Sequence, residues 1–383
     1  MAQPVSARTL ALLVLCAAAC HSEPLQNHGA AGGNTSGGAE ASGGAEASGG
    51  SDTGPDPLLS TWLDHAAISS DPSAQYHQSA SLPVDFGGES VAKATLQLEL
   101  ESHCYPFEKW ATASIPSGQQ WPPLCDAFDR GLSISLDDPE TPTAPPGFEI
   151  ARLITPFGGP LTFETDVTDW VNGLPGQHRL QVKIGTYGDP DGLVSGSHGE
   201  WLVSLRLVRE LGPAPRHVLS VVPLVFTSQT EASLPAVPFE TPAGTGSARI
   251  DYVATGHGSG AASLGCFGPA EEFCKRKHTL SLDGAPLDEY TPWRSDCASL
   301  CTAAHHPAAA PLGDFDYCAE NPCGAQESVR AARANWCPGS AVAPYPINGA
   351  ALSVPGAHEF TWQVDSIASG GQWDISATYW AFE

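Results

Sequence analysis

The sequence predicts an antiparallel β-sandwich protein, carried behind a short apolar leader and an unstructured tether. Three observations predict it. Apolar and polar residues alternate with a period of two over most of the chain, stripes at helical spacing are nearly absent, and 40 Gly and 34 Pro punctuate the runs at short intervals. Alternation puts apolar side chains on one face of an extended chain, and closely spaced turn residues suit sandwich strands better than a parallel α/β sheet. With 383 residues, 42% of them hydrophobic, the chain can bury two or three cores, which excludes wholesale disorder.

Residues 1–19 carry Arg8 and an apolar stretch from Leu10 to Ala19, a secretory signal by pattern. That stretch is about half the roughly 20 residues a membrane span needs. Ala17, Ala18 and Ala19 before Cys20 resemble a bacterial lipobox lacking its usual Leu, so lipidation is expected at Cys20, anchoring a cell-surface lipoprotein. A plain signal peptide releasing a secreted protein is the other reading. Residues 20–57 are Gly, Ala, Ser and acidic, with the unit GGAEAS at Gly37 to Ser42 and again at Gly43 to Ser48, the composition of a disordered linker.

Beyond the linker, alternating strands are expected at Leu96 to Leu100, Leu180 to Ile184, Trp201 to Leu207, Thr279 to Leu282, Phe360 to Val364 and Trp373 to Ala377. The one expected helix is short, around Glu327 to Ala332. Gly212-Pro213-Ala214-Pro215 interrupts the alternation, dividing the chain into domains at 58–212 and 213–383. The stretch from Cys297 to Cys337 is poor in strand pattern and rich in cysteine, a long loop that is tied down.

Lys and Arg number 17 against 42 Asp and Glu, a net charge of -25. Phosphate backbones and anionic lipid need a positive surface, so nucleic acid is not expected as a partner and a membrane only through a lipid anchor. Setting Cys16 and Cys20 aside leaves nine of the eleven cysteines, an odd number suited to an oxidising compartment, with one thiol either free or paired between chains. The spacings Cys297-x3-Cys301 and Cys318-x4-Cys323 lack the paired C-x2-C pattern of structural zinc, so no metal is expected.

Serine-hydrolase, zincin and phosphate-loop motifs are absent from the sequence. What remains are charges beside cysteines: Asp126 and Asp129-Arg130 after Cys125, Glu271-Glu272 before Cys274, and Arg330 and Arg333 before Trp336-Cys337. Cross-linked loops hold side chains still, and a carboxylate between arginines suits activation of water; surface ion pairs are the competing reading.

The string Cys125-Asp126-Ala127-Phe128-Asp129-Arg130 resembles the Cys-Asp-x-Trp-Asp-Arg segment of the peptide-N-glycosidase F family, bacterial amidases that remove N-linked glycans from asparagine. In the same order follow Arg152 to Phe157, Asp166 to Trp170, Val221 to Leu224, Gly256-His257-Gly258, Glu272-Phe273-Cys274 with His278, and Arg333-Ala334-Asn335-Trp336-Cys337-Pro338-Gly339. The resemblance spans about Leu82 to Glu383. It implies two eight-stranded jelly-roll domains side by side with the active site at their interface. It implies Asp129 and Glu272 as catalytic carboxylates, Arg130 and Arg333 as charge-stabilising groups, and disulfides Cys104 with Cys125, Cys266 with Cys274, and Cys297 with Cys337. Phe128, Tyr187 and His257 are further candidates for substrate contact. The implied partners are N-linked glycoproteins or glycopeptides, with no cofactor and a monomeric protein.

Two departures bear on function. Gly185 stands where the family has a second glutamate, although Tyr187 keeps the neighbouring aromatic, and Phe128 replaces a tryptophan. Asp189, Asp191 or Glu200 is expected to fill the place of that glutamate. The alternative to an amidase is a non-catalytic carbohydrate- or protein-binding module on the same scaffold, and a fold does not decide between them.

Overall fold

A computed structural model of the chain describes residues 57–137, 147–258, 266–268, 270–307 and 313–383. The leader, Cys20 and all but the last residue of the linker lie outside the described residues. No helix among them is long and apolar enough to cross a membrane.

The described residues from 57 onward form one compact unit made almost wholly of strands. One five-stranded sheet runs Tyr76–His77, Leu58–Ser69, Glu200–Leu211, Val91–Ser102, Leu161–Asp166. Facing it is a second five-stranded sheet, Ser340–Val342, Phe148–Ile154, Gly131–Asp137, Gln177–Ile184, Ser79–Asp85. The alternating leucines explain the pairing: Leu96, Leu98 and Leu100 of one sheet and Leu132, Ile134, Leu136, Leu180, Val182 and Ile184 of the other are buried in a common core.

The second sandwich pairs Val218–Gln229, Gly371–Phe382, Ser247–Gly258, Tyr345–Asn348 with Val237–Thr241, Gly356–Val364, His278–Leu282, Ala285–Tyr290. Its core gathers Ile250, Tyr252, Leu280, Phe360, Trp362, Trp373 and Tyr379. Every strand expected from alternation is present, and among the described residues all pairings between strands are antiparallel except the two-residue contact of Leu58–Ser69 with Tyr76–His77.

Among the described residues the first sandwich has ten strands where eight were expected. Ser340–Val342 leaves the second half and pairs with Phe148–Ile154 of the first, so the sheets are knitted across the Gly212 to Pro215 break. Trp380 and Phe382 likewise enter the first core, with Trp380 edge-to-face on Trp170 at 4.6 Å.

The helix expected near Glu327 is a single turn, Gln326–Arg330, and a second short helix occupies Thr168–Gly173. Cys297–Cys337 and Cys301–Cys318 tie down the irregular stretch, whose hairpin Ala303–His306 with Phe315–Cys318 packs Phe315, Tyr317 and His306 around Phe107. All three bridges implied by the resemblance are formed, and Cys323 keeps a thiol beside Cys104–Cys125.

Candidate active site

The segment Cys125 to Arg130 leaves the Cys104–Cys125 bridge and enters the strand Gly131–Asp137. Its two aspartates have different fates. Asp126 is fully buried and accepts from Arg130 Nε at 2.8 Å and Nη2 at 2.7 Å, Thr186 Oγ1 at 2.6 Å and Trp201 Nε1 at 3.2 Å. A carboxylate satisfied on every side is an anchor. It aims Arg130, whose guanidinium lies 3.6 Å from the Tyr187 ring centroid and 5.1 Å from that of Phe128 and donates to the Tyr187 carbonyl at 3.1 Å. Phe128 and Tyr187 stack at 6.2 Å, with Tyr187 57% exposed.

Asp129 is the carboxylate left to face open space. It lines a cavity of about 750 Å³ together with Arg130, Gly185, Tyr187, His257 and Asp374. Burial pushes its carboxyl up to about 7; Arg333 opposes the rise, Glu272 adds to it, and Arg130 opposes it. A carboxyl that titrates near neutrality can exchange a proton with water in either direction.

Glu272 and Arg333 stand beside this cavity, their charges acting on Asp129, but do not form its wall. Glu272 accepts from Arg333 Nη1 at 2.5 Å, and Arg333 Nη2 donates to the Ser328 carbonyl at 2.7 Å and hydroxyl at 2.9 Å. The guanidinium, in a residue only 1% exposed, sits 4.4 Å from the Trp336 ring centroid and 4.9 Å from that of Phe273, and its buried Nε has no hydrogen-bond acceptor among the described residues. Backbone pairing fixes both residues, Arg333 with Arg294 in both directions and Ala334 N to the Glu272 carbonyl at 2.7 Å, between the Cys266–Cys274 and Cys297–Cys337 bridges. Burial raises the Glu272 carboxyl while Arg333 pulls it back.

His257 lies over Trp336 at 5.3 Å, with Nε2 2.8 Å from Thr255 Oγ1 and 3.8 Å from Asp374 Oδ2. Burial pushes its imidazole down to about 4, so at neutral pH it is an uncharged hydrogen-bonding group.

The expectation for Asp189, Asp191 and Glu200 is corrected. Asp189 folds back onto its own loop, accepting from Leu193 N at 2.7 Å and Val194 N at 2.9 Å; Glu200 pairs with His103 at 3.0 Å; Asp191 is solvent-exposed; none lines the cavity. Gly185 does line it, and a Cβ there would meet only the Gly131 carbonyl at 3.9 Å. Trp110 and Trp121 cap the Cys104–Cys125 loop, edge-to-face at 5.0 Å.

The sequence points to Arg152 only as part of the segment Arg152 to Phe157 and gives no sign of Glu149. Arg152 forks onto Glu149 at 2.7 and 3.0 Å and reaches across to the Asp374 carbonyl at 2.5 Å and Thr255 Oγ1 at 3.1 Å, so a buried ion pair joins the two halves at the cavity floor. A second cavity, of about 700 Å³, also has Glu149 and Arg152 in its wall but holds none of Asp129, Glu272 and Arg333. Among the described residues the two groupings of potential metal donors, Cys104, Cys125, Cys323 and Cys266, Glu271, Cys274, each contain a disulfide, which leaves one donor apiece.

The family description "Peptide-N-glycosidase F, C terminal" matches residues 226–379, the span that holds His257, Glu272 and Arg333. No curated protein sequence matches the chain. Among solved structures, PNGF-II is similar with a TM-score of 0.63 at 18% identity, over 85% of this chain and 65% of that one, so the chain spans under two thirds of that protein's length. A structure titled peptide-N(4)-(N-acetyl-β-D-glucosaminyl) asparagine amidase gives a TM-score of 0.61 at 18% identity over 86% and 96%. PNGase F from Flavobacterium meningosepticum, titled a glycosylasparaginase, gives the same TM-score, identity and coverage. At that identity the likeness is one of fold, and it agrees with the sheets described above. Residues 226–379 are thus similar in sequence to the C-terminal part of peptide-N-glycosidase F, and the described residues share the fold of the solved amidase structures.

Proposed function

We propose that the chain is an amidase that hydrolyses the bond between asparagine and the first N-acetylglucosamine of N-linked glycoproteins or glycopeptides, acting at the cell surface or in the secreted state. One observation carries the reading: Asp129, its carboxyl held at about 7, faces a cavity of about 750 Å³ flanked by two arginines and a second carboxylate. Proteins of this fold bear amidase titles, which supports the same chemistry here.

In this mechanism the Asp129 carboxylate takes a proton from water as the water oxygen attacks the side-chain carbonyl carbon of asparagine. The positive field of Arg130 and Arg333 stabilises the charge that develops on the carbonyl oxygen. The C–N bond then breaks, the leaving nitrogen takes the proton back from Asp129, and aspartate and a glycosylamine remain. Glu272, held by Arg333, orders the water or a sugar hydroxyl. Neutral His257 and the Phe128–Tyr187 pair contact the sugar.

The binding-module reading rests on Gly185, which leaves one carboxylate of the family pattern unfilled. Incubation of the purified protein with a denatured N-glycoprotein, with Asp129→Asn in parallel, separates the two. Deglycosylated peptide formed by the wild type and not by the variant is the expected result. Intact glycopeptide retained on immobilised protein, with none released, would replace the amidase with the binding module.

A further inference from the structure

Glu272 and Arg333 have chain neighbours that turn to a different surface. Phe273 follows Glu272, Ala332 precedes Arg333, and with Ala331, Phe267, Trp293 and Lys275 they line a concave recess of about 530 Å³, distinct from the Asp129 cavity. Phe267 is 74% exposed, unusual for a ring in a structure whose other aromatics are mostly buried, and its centroid is 5.7 Å from that of Trp293. Two aromatic rings left open in one recess are available to stack on a ligand.

The recess is cross-linked. Cys266–Cys274 closes the segment that bears it, Phe267 N donates to the Phe273 carbonyl at 2.8 Å, and Trp293 precedes Arg294, whose backbone pairs with Arg333. Preorganised rings lose little freedom on binding.

Lys275 decides the occupant. Its Nζ lies 5.3 Å from the Phe267 centroid and 5.1 Å from that of Trp293, whereas the nearby Lys277 pairs with Glu289. The ring faces are thus turned to a positive group. A pyranose fits this arrangement: its C–H face carries slight positive charge toward a ring, and its hydroxyls or a sugar carboxylate accept from Nζ. An apolar peptide side chain would strip water from the ammonium without replacing its hydrogen bonds.

We propose that Phe267, Trp293 and Lys275 form an outer sugar subsite, holding a hexose of the glycan beyond the innermost pair of N-acetylglucosamines. The inference rests on the proposed function for the identity of the substrate, but its test needs no turnover. Wild type, Phe267→Ala and Lys275→Gln, both substitutions at exposed positions, are titrated calorimetrically with a free high-mannose oligosaccharide and with N,N′-diacetylchitobiose.

The expected result is oligosaccharide binding that weakens about tenfold in either variant, the scale of one interface anchor, with the chitobiose affinity unchanged. Equal oligosaccharide affinity in wild type and Phe267→Ala, or no binding by the wild type, overturns the subsite. The glycoprotein digestion judges the amidase separately: glycan release with Phe267-independent binding sinks the subsite alone, and Phe267-dependent binding without release sinks the amidase alone.

Discussion

Replacing Asp129 by Asn removes a carboxyl that the fold holds in an unfavourable place. Its folded value of about 7 against an ordinary 3.8 means that the folded state keeps the proton over a range where the unfolded chain has lost it. Stability therefore falls as pH rises through that window, because ionising the group costs more in the fold than in the open chain. Worked through the two values, the cost grows by about 2.5 kcal/mol between pH 5 and pH 8 and levels off above the folded value; water reaching a half-buried group trims it to between about 1 and 2 kcal/mol. Asparagine has the same shape and no titration. Urea denaturation of both proteins at pH 5 and pH 8 reads the difference directly, since groups that do not interact with Asp129 cancel. The variant gains on the wild type by that amount at pH 8 relative to pH 5. A gap that stays constant with pH, or widens in the wild type's favour, would refute the account of Asp129 as a strained carboxyl.

The same group sets the pH dependence of activity, since only the carboxylate accepts a proton: kcat/KM for a glycopeptide rises with pH and reaches half its plateau near the Asp129 value of about 7. A profile flat from pH 5 to 8 would remove Asp129 from the role of base. Gly185→Glu supplies the missing carboxylate where its Cβ meets only the Gly131 carbonyl at 3.9 Å, and is expected to raise kcat/KM at least about tenfold, with an unchanged or lower value against it. Arg333→Met leaves Glu272 and both Ser328 acceptors without their donor, and is expected to cost about 3–5 kcal/mol in urea denaturation; a loss under about 1 kcal/mol would mean the pair is solvated.

The strands were legible because their alternation is clean: Leu96 to Leu100 and Leu180 to Ile184 each bury one face, as a half-buried strand must. The strand Ser340–Val342 was not, because three residues carry no periodicity and its partner lies almost two hundred residues away in sequence. The candidate site divides in the same way. Asp129, Arg130, Glu272 and Arg333 stood beside cysteines whose bridges now fix them. Glu149 and Arg152 are three apart, which in a regular strand puts them on opposite faces. The register slips between Ile134 and Ser135, whose partners are Ala151 and Glu149, so Ile150 is an extra residue that returns both side chains to one face. No sequence period announces a bulge. Asp189 was misjudged for a different reason: a loop aspartate followed by free backbone N–H groups satisfies its own turn before it can reach into a cavity.

The measurement that bears most directly on the central claim is digestion of an N-glycopeptide in water enriched in heavy oxygen. Hydrolysis of the asparagine amide through Asp129 predicts the label in the side chain of the new aspartate and none in the released sugar once its amine has exchanged in ordinary water. Label fixed at the sugar, with asparagine intact or still carrying N-acetylglucosamine, would show cleavage of a glycosidic bond and contradict the amidase.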